Sequence, residues 1–156
     1  YEMMCEAQEL VRDRDGRDLV WPNDLKKWGS DDRFTASCES PERIRIDGHV
    51  EGGDGKTGKQ QAQILAGKGL EQAQLEDLAA AFVAHWVATG EPLFGKFKNN
   101  NFTFVVRAVG GALRFLSNGL RVDGIDDDFS VSNVAVASRV RPSFAKATAG
   151  KPELKN

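Results

Sequence analysis

The stretch LEQAQLEDLAAAFVAHWVATGEP, residues 70 to 92, sets the tightest limit on the fold. Leu75, Leu78, Phe82 and the His85–Trp86 pair recur every three to four residues, the spacing that lines up apolar side chains along one face of a helix. Glu71, Glu76 and Asp77 sit early, where the helix dipole favours negative charge, and Gly90 with Pro92 closes the segment. A helix over 70–89 follows. His85 falls beside the apolar stripe, and no carboxylate or nucleophile motif partners it, so a histidine at the edge of the core is its ordinary role rather than a catalytic base.

From Phe94 the texture changes to glycine, asparagine and β-formers. NFTFVVRAV alternates or runs apolar, GGALRFL turns and returns as a hairpin does, and NGLRV and NVAVASRV are short strands, a meander of about four in all. Phe104, Val106, Leu113, Phe115, Val134 and Val136 are its expected framework. Before the long helix, Met3 or Met4, Ala7 and Leu10–Val11 predict a helix over 2–12, Asn23 a cap for a short turn, Trp21 and Trp28 core anchors, and RIRIDGHV a strand and turn. The expected architecture is one α+β domain over 1–141, two main helices supporting a C-terminal antiparallel β meander. Residues 142–156, rich in Lys, Ala, Gly and Pro, read as a low-complexity, disordered tail.

At 156 residues, 40% apolar and 28% charged, the chain can bury a core, and a net charge of -2 gives no general attraction to nucleic acid or acidic membranes. No run is long and apolar enough for a membrane span and no leader pattern is visible, so a cytoplasmic location is the default expectation, although the chain begins at Tyr1. Cys5 and Cys38, with His49 and His85, form neither a disulfide framework nor a zinc pattern. Two reduced thiols are the commoner state for such a pair, and a bridge is allowed by counting alone. No structural metal and no cofactor are expected.

Two motifs imitate known sites. GHVEGGDGKTGKQQ fails as a phosphate-binding loop in both registers: Val50 stands where the first glycine belongs in one, and Gln60 replaces the required hydroxyl in the other. An exposed Gly/Lys loop is the expected alternative. In DGIDDDF, Asp123, Asp126, Asp127 and Asp128 break the alternate spacing of a calcium loop, and turn-forming aspartates fit them better.

The stretch FTFVVRAVGGALRFLSNGLRVDGIDDDFSVSNVAVASRV, residues 102–140 within a matching region of about 95–141, resembles the terminal part of variable proteins of diversity-generating retroelements, which carry a C-type-lectin-like fold. Framework pieces VVRAVGGALRF, GL, Val122 and VAVASRV alternate with residues of mixed chemistry. The resemblance implies a non-enzymatic display protein whose gene, rather than the protein itself, is acted on by an error-prone reverse transcriptase. It also implies ligand-binding positions at Lys98, Asn99, Asn100 and Asn101, at Arg121, Asp123, Gly124 and Ile125, and at Phe129, Val131 and Asn133. The implied partner is a protein or another macromolecule. Ile125 and Phe129 are either exposed anchors of a binding face or buried core residues. No tryptophan follows Trp86, unlike many domains of that type. The alternative function is a small nucleic-acid or nucleotide-binding protein that uses GGDGKTGK, through Lys56 and Lys59, together with the basic tail.

Overall fold

The computed structural model describes residues 1–35, 45–47, 50–93, 105–116, 119–129 and 134–140, without the side chains of Val134 and Val140. Mixed helix and sheet make up this α+β chain. Helix α1 (Glu2–Asp15) turns Met4, Ala7 and Val11 inward and ends at Gly16, whose φ of 67° suits a residue without a Cβ. Met3 and Leu10, the other members of its apolar pattern, are exposed.

Helix α2 (Pro22–Trp28) starts earlier than an Asn23 cap implies, with Trp21 before it and Pro22 in the first turn, where a missing N–H costs nothing. Trp28 is buried and stacks on Phe34 of α3 (Asp32–Thr35) at 4.6 Å. Trp21 departs from the expected core position: it is half-buried, and its ring lies under a guanidinium at the surface.

Strand β1 (Arg45–Asp47) matches the expected short strand, but the Gly/Lys segment after it is not all loop. Helix α4 (Gly58–Gly67) grows out of it through a capping box: Thr57 Oγ1 accepts from the Gln60 amide, and the Thr57 amide donates to Gln60 Oε1. Leu65 and Gln61 are its buried residues.

Residues 70–74 do not join the long helix. Glu71–Gln72 form β2, the Ala73 amide donates to the carbonyl of Ala137, and α5 (Leu75–Thr89) begins after Gln74. Leu70 extends the apolar stripe in sequence, but sheet pairing claims the backbone that a longer helix would need.

Strands β3 (Val105–Ala108), β4 (Gly111–Leu116) and β5 (Gly119–Asp123) form the expected antiparallel meander. The fourth strand departs from it. NVAVASRV splits at Ala137 into β6 (Val134–Val136), which pairs parallel to β3, and β7 (Ser138–Val140), which pairs antiparallel to β1 and β2. The sheet orders are β5-β4-β3-β6 and β1-β7-β2. A parallel return needs a crossover, so the connection after β5 cannot be a tight hairpin.

Strand alternation gives the larger sheet two faces. Val106, Leu113, Phe115, Leu120 and Ala135 join Leu75, Leu78, Phe82 and Trp86 of α5 in the main core, with α1 packed on α5. The opposite, outer face carries Arg107, Arg114, Arg121 and Asp123 by the same alternation. Val136 lies on that outer side and is buried with Val50 and Leu65 in a smaller cluster. Of the expected framework, Val106, Leu113, Phe115 and Val136 are buried, while Phe104 and the Val134 side chain lie outside the described residues.

The edge of β5 is closed by residues 19–21: the Leu120 amide donates to Leu19 O and the Trp21 amide to Leu120 O. Gly119 makes this approach feasible. Its φ is +111°, and a Cβ there would lie 2.9 Å from the Trp21 nitrogen and 3.0 Å from the Val20 carbonyl carbon, both backbone atoms that cannot swing aside. Gly119→Ala is expected to cost about 2 kcal/mol through backbone strain alone. Urea unfolding checks the cost, and wild-type stability in the variant would mean that the 19–21 segment does not hold this edge.

Candidate functional site

The two imitation motifs meet each other. The acidic connection after β5 runs against the start of α4, where the Gly58 amide donates to the carbonyl of Asp127 at 2.6 Å. Lys59 Nζ lies 4.0 Å from a carboxylate oxygen of Asp128, an exposed and weak pair. Lys56 is exposed. One cation of the Gly/Lys segment therefore faces the chain's own acid, and the helix start that would attract a phosphate already serves the 126–129 turn.

Arg107 locks this junction. Only 4% exposed, it donates from Nε to Gln61 Oε1 at 2.9 Å, from one Nη to Asp126 O at 3.0 Å and from the other to Phe129 O at 3.0 Å. Burial pushes its guanidinium down from the usual range, and the Asp127 carboxylate, 3.8 Å away, opposes the change. The fork geometry of arginine matters here, because three acceptors in different directions are met by one rigid group. A lone Arg within FVVRAV was the sequence signal for it, and periodicity alone passes over such a residue.

Around this lock lies a cleft of about 530 Å³, lined by Arg107, Val109, Gly110, Gly124, Ile125 and Asp127 among others. Val109 and Phe129 are exposed apolar side chains of this region, and Ile125 is half-buried. Ile125 and Phe129 are thus not core residues.

Arg121 and Asp123 occupy alternate positions of β5 on the outer face, the side on which Arg107 holds the 126–129 turn. Gly124, Ile125 and Phe129 follow in that connection. Arg121 and Asp123 therefore lie on the side of the sheet away from the α1–α5 core, and the connection that carries Gly124, Ile125 and Phe129 is tied to that side through Arg107. Lys98, Asn99, Asn100, Asn101, Val131 and Asn133 lie outside the described residues.

Arg114 stands directly across from Arg121, with Asp123 Oδ2 2.8 Å from Arg114 Nε in an ion pair. Arg121 lies over the Trp21 ring at 3.9 Å. Neither Arg114 nor Gln61 is marked by a sequence pattern, and Trp21 stands out only as an expected core anchor, since each owes its place here to a contact distant in the chain.

Among the described residues no group of three or more His, Cys, Asp or Glu could hold a metal ion. Of the aspartates of DGIDDDF, Asp123 ends β5 and Asp126–Asp128 make a turn, with the Phe129 amide donating to Asp126 O. His85 is half-buried beside the core, and Cys5 is a half-buried free thiol, while Cys38 and His49 lie outside the described residues. No described helix is long and apolar enough to cross a membrane. Comparison with protein-family models, with curated proteins and with solved structures gives no match.

Proposed function

We propose that this chain is a non-enzymatic display protein, of the kind diversified by retroelements on a C-type-lectin-like scaffold, which binds a protein or other macromolecule through the outer face of its larger sheet and the connection after β5. The observation that supports the reading is that Arg121 and Asp123 lie on the outer face and that Arg107 ties the following connection, with Gly124, Ile125 and Phe129, to the same side. The mechanism is rigid presentation. Arg107 holds the 126–129 turn by backbone carbonyls, so side chains there can change without loss of the contacts that fix it. Apolar Ile125 and Phe129 beside charged neighbours match the composition of binding hot spots and their rims.

Simultaneous randomisation of these five positions tests the reading. Most members of such a library are expected to fold, each single change costing less than about 1 kcal/mol, as exposed and half-exposed pairs generally do. Thermal unfolding of sampled clones provides the measurement. General collapse of the library would make these residues structural and end the display reading. A nearby imperfect DNA copy of the region encoding 95–141, differing almost only at adenines, would support the retroelement origin independently.

A further inference from the structure

Building on the display reading, we infer that the outer face of β4 and β5 takes an acidic segment of a protein partner, gripped between Arg114 and Arg121. These arginines are directly opposed across the strand pair, an arrangement that repels and that Asp123, paired with Arg114, and the more distant Asp24 offset in part. Each Nε is buried with no hydrogen-bond partner. Asp123 approaches Arg114 Nε closely but without hydrogen-bond alignment, and the nearest Asp24 oxygen is 4.0 Å from Arg121 Nε. Among the described residues neither guanidinium donates a hydrogen bond, and because each Nε is buried, the 35% and 27% exposure of the two side chains, which a ligand can reach, lies on their other atoms.

Trp21 orients the site. The Arg121 guanidinium carbon lies 3.9 Å from the centre of the indole, a cation–π contact that fixes where the charge sits without using any of its N–H donors. The same tryptophan lines a shallow cleft with Lys26 and Lys27, which extends the positive surface beyond the arginine pair. Asp24, buried and accepting from the Val122 amide, pairs with Lys27 at 3.6 Å, so with Asp123 it leaves two of the four cations of this surface without a matching charge among Arg114, Arg121, Lys26, Lys27, Asp24 and Asp123.

An acidic peptide suits this surface better than a nucleic-acid backbone. Asp123 sits within the arginine pair and repels a continuous row of phosphates, whereas separate Glu or Asp side chains can enter on either side of it. The exposed part of Trp21 adds apolar contact of the kind that protein interfaces use.

The experiment titrates the full chain, labelled with ¹⁵N, with hexaglutamate at low and at physiological salt, following the arginine Nε–Hε resonances. Hexalysine and hexathymidylate serve as control probes. Hexaglutamate is expected to move the Arg114 and Arg121 signals, and the double change Arg114→Gln, Arg121→Gln to weaken its binding about tenfold, while Lys59→Gln leaves it unchanged. The amide spectrum of each variant confirms folding in the same samples. No movement of these signals, equal affinity in the double variant, or tighter binding of hexathymidylate at the same resonances would each overturn the inference. If it fails while positions 121–129 remain tolerant of substitution, the display reading stands without an acidic partner. Loss of that tolerance would remove the reading itself.

Discussion

Arg107→Ala is expected to destabilise the protein by about 3 kcal/mol, because a buried charged donor serving three acceptors is removed at once. The acceptors do not suffer equally. Asp126 and Phe129 are exposed residues, so water admitted by the change can replace the donor to their carbonyls, but Gln61 is 1% exposed and its Oε1 loses the Arg107 donor in the interior. Arg107→Lys should recover less than half of the loss, since one ammonium cannot span three directions. A double change to Met at 107 and Leu at 61 should recover only part of it, because it removes the Gln61 acceptor together with its donor but also strips the buried Gly53 carbonyl of the bond from Gln61 Nε2. Denaturant unfolding gives the energies, and hydrogen exchange at the Phe129 and Gly58 amides reports whether the turn has opened. A loss under about 1 kcal/mol with both amides still protected would mean that Arg107 does not hold the binding connection.

How far this architecture could be read in advance depended on how local its causes are. The α1 and α5 patterns and the β3–β5 meander are written in short-range periodicity, and the structure follows them closely. Helix α4 was legible in principle, since Thr57 and Gln60 make a capping box ahead of Ile64 and Leu65, but the surrounding glycines and lysines dominate that window. The parallel pairing of β6 with β3 and the split at Ala137 have no local signature. They arise because Ala137 serves two neighbours, donating to Arg107 O and accepting from the Ala73 amide, at separations no periodic pattern records. The candidate face was partly legible for the same reason. Arg121, Asp123, Gly124, Ile125 and Phe129 stand out by mixed chemistry, whereas Arg107, Arg114 and Trp21 become functional candidates only when folding brings distant segments to them.

Phe82→Ala is expected to have the largest effect of any single change discussed, about 4 kcal/mol, or a fall in Tm of roughly 8 to 16 °C for a chain of this size. Phe82 is fully buried, with ring centroids 5.1 Å from Phe115 of β4 and 6.2 Å from Trp86 one turn along α5. Removing it opens a cavity where helix and sheet meet, and its neighbours are too constrained to fill the space: Phe115 is held in a strand, and Trp86 Nε1 donates to Asp15 at the end of α1. Phe82→Leu keeps most of the volume and should cost about 1.5 kcal/mol. The informative comparison is Phe129→Ala, the same chemical change at a 46% exposed position of the connection after β5, expected to move stability by no more than about 0.5 kcal/mol. Thermal and denaturant unfolding of the pair separate scaffold from display surface directly. If Phe129→Ala approached the cost of Phe82→Ala, Phe129 would belong to the core in solution and would be lost as an anchor for a partner. A wide gap between them is the physical condition for a surface that can vary while its fold does not.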